Sequence, residues 1–545
     1  MGWLLPLWCS LFYLSGLGGN IPSLLTLNLC IHRNDCPPMF KDIFRTYDEK
    51  EFTGKLALRG LYISTAAGMM GFAWVAVALG MPLILFMNAL GASGFQLGLL
   101  TTVQQLAIMV QIPGAVYGET LPSRKLYWAS IGVLHRALWF IPIFIPFIFP
   151  GELHKAAWAV VAMVVMSSLT AQFVTPLWFA WMAELVPSNI SARYWGIRQS
   201  LTTLVQGIVI WGSGWVLDSF PDPSKPNGSF AGFMIVFAFA ATLGCMDILC
   251  HMLVPEPRPK SVDRRAGILK RLRIAWNLLD FRRLTYAMGF WYFSVAMIGA
   301  FVPVAMKSNL GMSYTQVAVM VCTGAAGAFV TGVPLGLIAQ RIGARTMCAI
   351  LMFAGPLFMV PWFFLPLGDA TLSLPLMGHF VLPKAMLALL FSQFIAGGLY
   401  AGVGLCQMHL IAALSPREGR ALSIAMHWTF LGALSSLSPL YGGFIMDFVK
   451  SHPLPFTMPM GGPAFFYHVL LIFHIIVAWC GIGFMLKITL RRDEMSISEI
   501  FASMRPFSPF RGIMGLAFLP ATVVLKFLND DEDDERHPPP ESDQF

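Results

Sequence analysis

Charge is what this chain of 545 residues has least of: Asp, Glu, Lys and Arg together make up 12 %, against 57 % hydrophobic residues. Soluble domains carry about 25 % charged residues, so this balance, with a mean hydropathy of +0.68, excludes a string of water-soluble globules. From Leu61 to Gly118 no Asp, Glu, Lys or Arg occurs at all. That run has room for two helices of about 20 residues, each crossing a hydrocarbon core about 30 Å thick. The class it implies is an all-α polytopic membrane protein.

Other absences narrow the function. Six of the nine cysteines (Cys245, Cys250, Cys322, Cys348, Cys406 and Cys480) lie in apolar runs with no paired-ligand spacing, which reads as packing rather than metal or redox chemistry. Only Cys30 and Cys36 flank a polar segment, where a disulfide is conceivable. There is no GxSxG, P-loop, HExxH or strand-borne GxGxxG, so neither an enzyme nor a bound cofactor is expected. His468 and His474 are six residues apart, about 240° around a helix, and do not form an i,i+4 metal pair. The net charge of +8 is scattered over short loops instead of forming one face, which argues against nucleic acid as a partner. The first 31 residues are uncharged but lack the basic start of a secretory signal. Residues 1–38 therefore read as an extension, preferentially upstream of a working start at Met39, with a cleaved or non-spanning segment as the alternative.

What is present is a series of twelve apolar spans, at about 61–88, 95–117, 125–149, 156–183, 194–217, 229–254, 284–306, 313–339, 346–367, 385–413, 421–446 and 463–486. Of the 36 Lys and Arg residues, 29 fall on one side of this pattern, five on the other, and Arg33 and Arg136 on neither. The positive-inside rule then expects both termini of the core to be cytoplasmic in a multi-pass protein of the cytoplasmic membrane. The expected organisation is a first six-helix half at 39–254, a basic amphipathic linker at 255–283, a second half at 284–490 and a cytoplasmic tail at 491–545. The linker interleaves Arg264, Arg265, Lys270, Arg271 and Arg273 with Ile268, Leu269, Leu272, Ile274 and Trp276, a pattern suited to anionic headgroups. In the tail, residues 512–525 are too few to cross the bilayer and the acidic run from Asp530 to Glu535 reads as solvated.

Two loop types recur. Gly114, Gly118, Glu119, Arg124 and Lys125 after the second span correspond to Gly332, Gly336, Gln340, Arg341, Gly343 and Arg345 after the eighth. Glu184-Leu-Val-Pro187 followed by Arg193-Tyr-Trp-Gly196 corresponds to Leu414-Ser-Pro416 followed by Glu418-Gly419-Arg420. Such duplication builds transporters around a midplane site between the halves. The stretch 336–345 resembles the loop between the second and third helices of a half in the major facilitator superfamily, normally Gly-xxx-Asp-Arg-x-Gly-Arg-Arg, with Gln340 in place of the Asp. The resemblance covers about residues 55–490 and implies twelve helices in two pseudo-symmetric halves working by alternating access. Basic groups at helix ends can pair with carboxylates and exposed carbonyls. Glu119, Arg124, Lys125, Glu184, Arg193, Gln340, Arg341 and Arg420 are accordingly candidates for a cytoplasmic gate, the alternative being that the arginines only set topology.

Ionisable residues inside the spans are costly and usually functional. Arg136 falls near the middle of the third span, and Asp247 lies within the sixth, so Arg136 is open to two roles: binding an anionic substrate, or pairing structurally with Asp247. The family resemblance places the third and sixth helices on the outside of each half and lines the cavity with the first and fourth and parts of the second and fifth. On that basis the substrate-binding candidates are Gln104, Gln172, Trp178, Trp181, Trp291, Gln393, Gln407, His409 and His427 together with Arg136. Amides and aromatic faces suit a sugar-like or otherwise neutral polar solute. The expected function is a monomeric secondary or facilitative carrier of a small organic solute. The alternatives are an exporter of amphipathic compounds, a non-transporting or lipid-handling relative and, last, a membrane-embedded enzyme.

Overall fold

A computed structural model of the chain describes residues 45–48, 53–118, 121, 123–187, 190–258, 273, 276–374, 378–415 and 420–489. Residues 1–38, most of the linker, Glu119 and the tail from 490 onward lie outside the described residues. So does the Cys30 and Cys36 pair. Twelve helices are long and apolar enough to span a membrane. In chain order they are α1 (Gly54–Ala89), α2 (Gly94–Gly118), α3 (Arg124–Ile148), α4 (Leu153–Leu185), α5 (Ser191–Asp218) and α6 (Ala231–His251). The second set is α7 (Leu279–Asn309), α8 (Tyr314–Ile342), α9 (Ala344–Phe363), α10 (Lys384–Leu414), α11 (Arg420–Ser436 continuing as Ser438–Ser451) and α12 (Phe466–Leu486). Helices satisfy their own backbone groups, the condition that lipid imposes on a spanning segment.

The two sets of six repeat each other in detail. Helix α1 is interrupted at Gly80 and restarts with Pro82 in its first turn; α7 is interrupted after Gly299 and restarts with Pro303, 221 positions on. Proline suits a helix start because its missing N–H is unpaired there anyway. Helices α2 and α8 open with the same capping box, Ser93 with Gln96 and Ser313 with Gln316, 220 positions apart. The expected boundaries agree with the structure to within a few residues, except where helices run past the hydrophobic stretch into the loop region, as at Gly54 and Ser191.

At the end of the bundle where the linker attaches, two short strands, β1 (Thr46–Tyr47) and β2 (Glu256–Pro257), pair in parallel. Glu256 then accepts hydrogen bonds from Ser123 Oγ (2.7 Å) and from the backbone N–H groups of Arg124 (2.6 Å) and Lys125 (3.1 Å) at the start of α3. A carboxylate at a helix N-terminus meets unpaired N–H groups and the positive end of the helix dipole. Here it fastens α3 to the end of α6. At the opposite, far end a hairpin of β3 (Asp369–Leu374) and β4 (Gly378–Pro383) joins α9 to α10, with Asp369 opposite Pro383 and Leu374 opposite Gly378.

Apolar packing is distributed unevenly along the bundle axis. One continuous cluster includes Phe86, Leu97 and Phe237 from the first set together with Phe301, Val317 and Trp362 from the second. Two further clusters belong to one set each: Leu177, Trp181 and Leu185 in the first, Leu284, Met352 and Leu410 in the second. The halves thus share a core toward the far end and keep separate cores toward the linker end. Close approach is allowed by Gly94 and Gly443, where a Cβ on either residue would overlap the other's carbonyl oxygen.

Candidate functional site

A cavity of about 430 Å³ opens inside the first half, beside the seam between the halves. Helix geometry explains its wall. Trp128, Gly132, His135, Arg136 and Trp139 stand at spacings of three and four on α3 and so share one face. Ser167, Ser168, Ala171, Gln172 and Thr175 do the same on α4. Trp74 from α1, Gln104 and Gln105 from α2 and Ile248 from α6 complete the enclosure. Most of this surface is indole rings, amides and hydroxyls, with one guanidinium.

That guanidinium is the electrostatic centre. Arg136 is only 9 % exposed; its Nη2 donates to Asp247 Oδ2 at 3.1 Å, and its Cζ lies 3.7 Å from the centroid of Trp74. Asp247, 4 % exposed, is shared: its Oδ1 is 2.9 Å from His251 Nδ1, which also lies 3.0 Å from the Asp247 carbonyl. His251 Nε2 in turn faces Ser64 Oγ at 3.2 Å. A second arginine, Arg198 on α5, lies 4.9 Å from the Trp178 ring and 5.6 Å from the Trp195 ring. Arg198 and Asp247 press against α1 at Gly68 and Gly71, one turn apart, where any side chain would collide with them. Cations over indole faces and charges paired away from water are the usual ways to retain ionised groups in a low-dielectric interior.

Polar contacts hold the rest of the wall. Trp139 Nε1 donates to Ser167 Oγ at 2.8 Å, and His135 Nδ1 lies 3.0 Å from the same hydroxyl. The Gln111 amide donates to the Gln172 carbonyl oxygen, and Gln104 Nε2 reaches the Ala78 carbonyl at 3.4 Å. Ser435 of α11 donates to Gln105 Oε1 at 2.9 Å, tying the cavity wall to the other half.

Of the residues singled out in the sequence, Arg136, Gln104 and Gln172 meet at the cavity. Trp181 is 1 % exposed and donates to the Pro255 carbonyl at 3.0 Å, supporting the wall from behind through Trp128. Trp178 packs over Arg198. The second-half candidates gather elsewhere. Gln407 Nε2 lies 2.9 Å from His427 Nε2, His427 Nδ1 lies 2.9 Å from Thr285 Oγ1, and Tyr292 donates to Gln407 Oε1 at 2.9 Å. Trp291 packs on Tyr400 in the same half, Gln393 is half-buried on α10, and His409 is exposed. Sequence reasoning missed Trp74, Trp128, Trp139 and Ser167. It placed α3 outside the half by family analogy, although the spacing of 128, 132, 135, 136 and 139 already marked a polar and aromatic face.

The gate candidates are distributed as follows. Arg124 Nη1 pairs with Glu184 Oε1 at 2.8 Å and Lys125 Nζ donates to the Val254 carbonyl at 3.1 Å, both within the first half. Arg193 lies in α5, Gln340 and Arg341 in the last turns of α8 and Arg420 at the start of α11; their side chains, like Glu119 as a whole, lie outside the described residues. The seam itself is closed by contacts that sequence reasoning did not single out. Asp447 on α11 accepts from the N–H groups of Gly94 (2.6 Å) and Phe95 (2.8 Å) at the start of α2. Asp218 on α5 accepts from Ser313 Oγ (2.7 Å) and from the N–H groups of Tyr314 (2.9 Å) and Thr315 (2.7 Å) at the start of α8. Each half thus caps a helix of the other, and the two caps occupy equivalent places in the repeat.

The family model of the Major Facilitator Superfamily matches residues 63–382. This chain belongs to that superfamily. Its members are transporters, and the twelve spans make the chain a multi-pass membrane protein of this class. Similar solved structures from the superfamily include a mutant of the nucleoside transporter NupG (TM-score 0.58, 12 % identity, covering 79 % of this chain and 99 % of that one). A D-xylose-proton symporter (0.55, 15 %, 80 % and 98 %) and a bacterial homologue of the iron transporter ferroportin in an inward-facing state (0.53, 14 %, 80 % and 99 %) share the fold as well. No curated protein sequence matches this one.

Proposed function

We propose that this superfamily member carries a small polar organic solute across the cytoplasmic membrane by alternating access between residues 39–254 and 284–490. The observation that carries this reading is the cavity inside the first half. It is large enough for a solute of a dozen heavy atoms and offers amide and hydroxyl partners from Gln104, Gln105, Gln172, Ser168 and Thr175 beside indole faces. The excess of Lys and Arg on one side assigns the linker end to the cytoplasm. The far end, with its shared core and helix caps, is then the closed outer gate, and the conformation is inward-facing. Arg124, Lys125 and Glu184 stiffen the first half here; in this reading they meet Arg193, Gln340, Arg341 and Arg420 when the cytoplasmic side closes. In this reading the basic residues of the linker at 255–283 serve to bind anionic headgroups.

Uptake into proteoliposomes of a panel of radiolabelled polyols, sugars, nucleosides and organic acids tests this reading. Saturable, time-dependent accumulation of one class is the expected result. Absence of transport for every class, or export of amphipathic dyes alone, would overturn it.

A further inference from the structure

Within the first six helices the sequence provides seven acidic residues between positions 54 and 258: Glu119, Glu152, Glu184, Asp218, Asp222, Asp247 and Glu256. Of the six that lie among the described residues, all except Asp247 sit at helix ends or in loops. The buried cluster packed on α1 at Gly68 and Gly71 therefore holds two guanidinium groups, Arg136 and Arg198, against one carboxylate, Asp247, an excess of at least one positive charge. The excess is not satisfied by hydrogen bonds either. Arg136 Nε and Nη1, Arg198 Nε and Trp74 Nε1 are buried donors without a partner among the described residues. Arg136 and Trp74 both line the cavity.

Unpaired donors on a buried cation are costly, and an anion brought within reach removes that cost. A solute without charge would leave them as they are. We infer that the transported solute carries one anionic group, a carboxylate or a phosphate, received at Arg136 and Trp74, while its remaining polar groups meet Gln104, Gln172 and Thr175. Trp74 covers the guanidinium at 3.7 Å, so a rotation of this indole admits the anion to Nε and Nη1. At a separation of about 6 Å and an effective dielectric of about 20, one charge favours an anion over its neutral counterpart by roughly 100-fold. The inference rests on the cavity being the solute site, as proposed above, and adds the charge of what it takes.

The test uses the purified full-length chain and matched pairs of probes: gluconate with sorbitol, glucuronate with glucose, lactate with propane-1,2-diol and glycerol 3-phosphate with glycerol. Thermal-shift titration and uptake are measured for each. At least one acid is expected to stabilise the protein with an affinity 10-fold or more above its neutral partner, and the carboxylate and phosphate pairs decide which acid is taken. Arg136→Gln should abolish that difference, and Arg136→Lys, which keeps the charge but not the planar fork, should retain part of it. If neutral members bind as well as their acids, or the acid preference survives in Arg136→Gln, the inference falls. Uptake confined to neutral members overturns the inference while the carrier reading stands; no uptake of any member here or in the wider panel above overturns the carrier reading itself.

Discussion

Asp247 illustrates how a single side chain can be set by several others. It receives Arg136, lies against His251 and fills the space left by Gly71, so each partner restricts its position. Removing one member of a buried pair leaves the other uncompensated, at a cost of about 3–5 kcal/mol. Asp247→Asn is therefore expected to lower thermal stability in detergent strongly, and Gly71→Ala, which drives a methyl group into the carboxylate, to do the same to a smaller extent. An Asp247→Asn protein as stable as the parent would show that the pair contributes nothing. Glu256 works at a helix end, against a hydroxyl and backbone N–H groups. Glu256→Gln keeps its shape but weakens three hydrogen bonds to the start of α3, and a loss of about 1–2 kcal/mol is expected from unfolding of the purified protein. Both residues are visible in the sequence as acidic, but only Asp247 stands out there, because it is the one inside a span.

At the scale of helices, the decisive feature is the crossed capping of α2 by Asp447 and of α8 by Asp218. Neither helix start is closed by its own half alone: Ser93 and Ser313 each cap one N–H, and the remaining groups take a carboxylate from across the seam. In the proposed cycle these caps break when the far end opens, so they bias the equilibrium between states rather than the stability of either half. Neutralising one, as in Asp447→Asn or Asp218→Asn, is expected to weaken the closed state by about 1 kcal/mol, roughly fivefold in population. Distances between spin labels on α2 and α11 should then broaden toward the open form, and the double variant should shift further. Unchanged distances would rule out this role. Gly443→Val should act in the same direction more strongly, since its side chain cannot fit against Gly94.

A third contact at the same end carries a pH signature. Burial pushes the Asp222 carboxyl upward, but the Lys307 ammonium at 2.8 Å and hydrogen bonds from the Ser224 N–H and the Tyr314 hydroxyl outweigh it and hold the group below its ordinary value of 3.8. A lowered carboxylate contributes its stabilisation in full above 3.8 and loses it as pH falls through the lowered value. Closure of the far end through this pair should consequently be constant between pH 5 and 8 and weaken only in more acidic solution, with Asp222→Asn mimicking acid at neutral pH. A transition in label distances between pH 6 and 8 that persists in Asp222→Asn would assign it to another group.

For the whole molecule, the distribution of apolar contacts bears on the proposed alternating access. A shared core on one side and separate cores on the other allow the halves to rock as bodies about the seam, with α2 against α11 and α5 against α8. Cysteine pairs that lock α2 to α11 near Gly94 and Gly443 are expected to stop transport while preserving binding in the cavity, and reduction should restore it; transport by the locked protein would exclude rocking at this seam.

The amino-acid sequence by itself determined the class, the twelve spans and the superfamily, because lipid admits few backbone solutions and because long uncharged runs and Lys and Arg in loops are local properties. It also marked Arg136 and Asp247, since a charge inside a hydrophobic run is conspicuous without any knowledge of its neighbours. The cavity itself was decided only by tertiary structure. Trp74, Trp128 and Trp139 read as ordinary membrane residues until α1, α3 and α4 are set side by side, and only the fold shows that Gln407 and His427 bond each other and take Tyr292 and Thr285 as partners. Asp218 and Asp447 are loop-side acids in the chain and helix caps in the fold, because the groups they satisfy lie 95 and 353 positions away. Periodicity and charge act over a few residues, whereas a site is made by whichever side chains the packing of helices leaves facing one another.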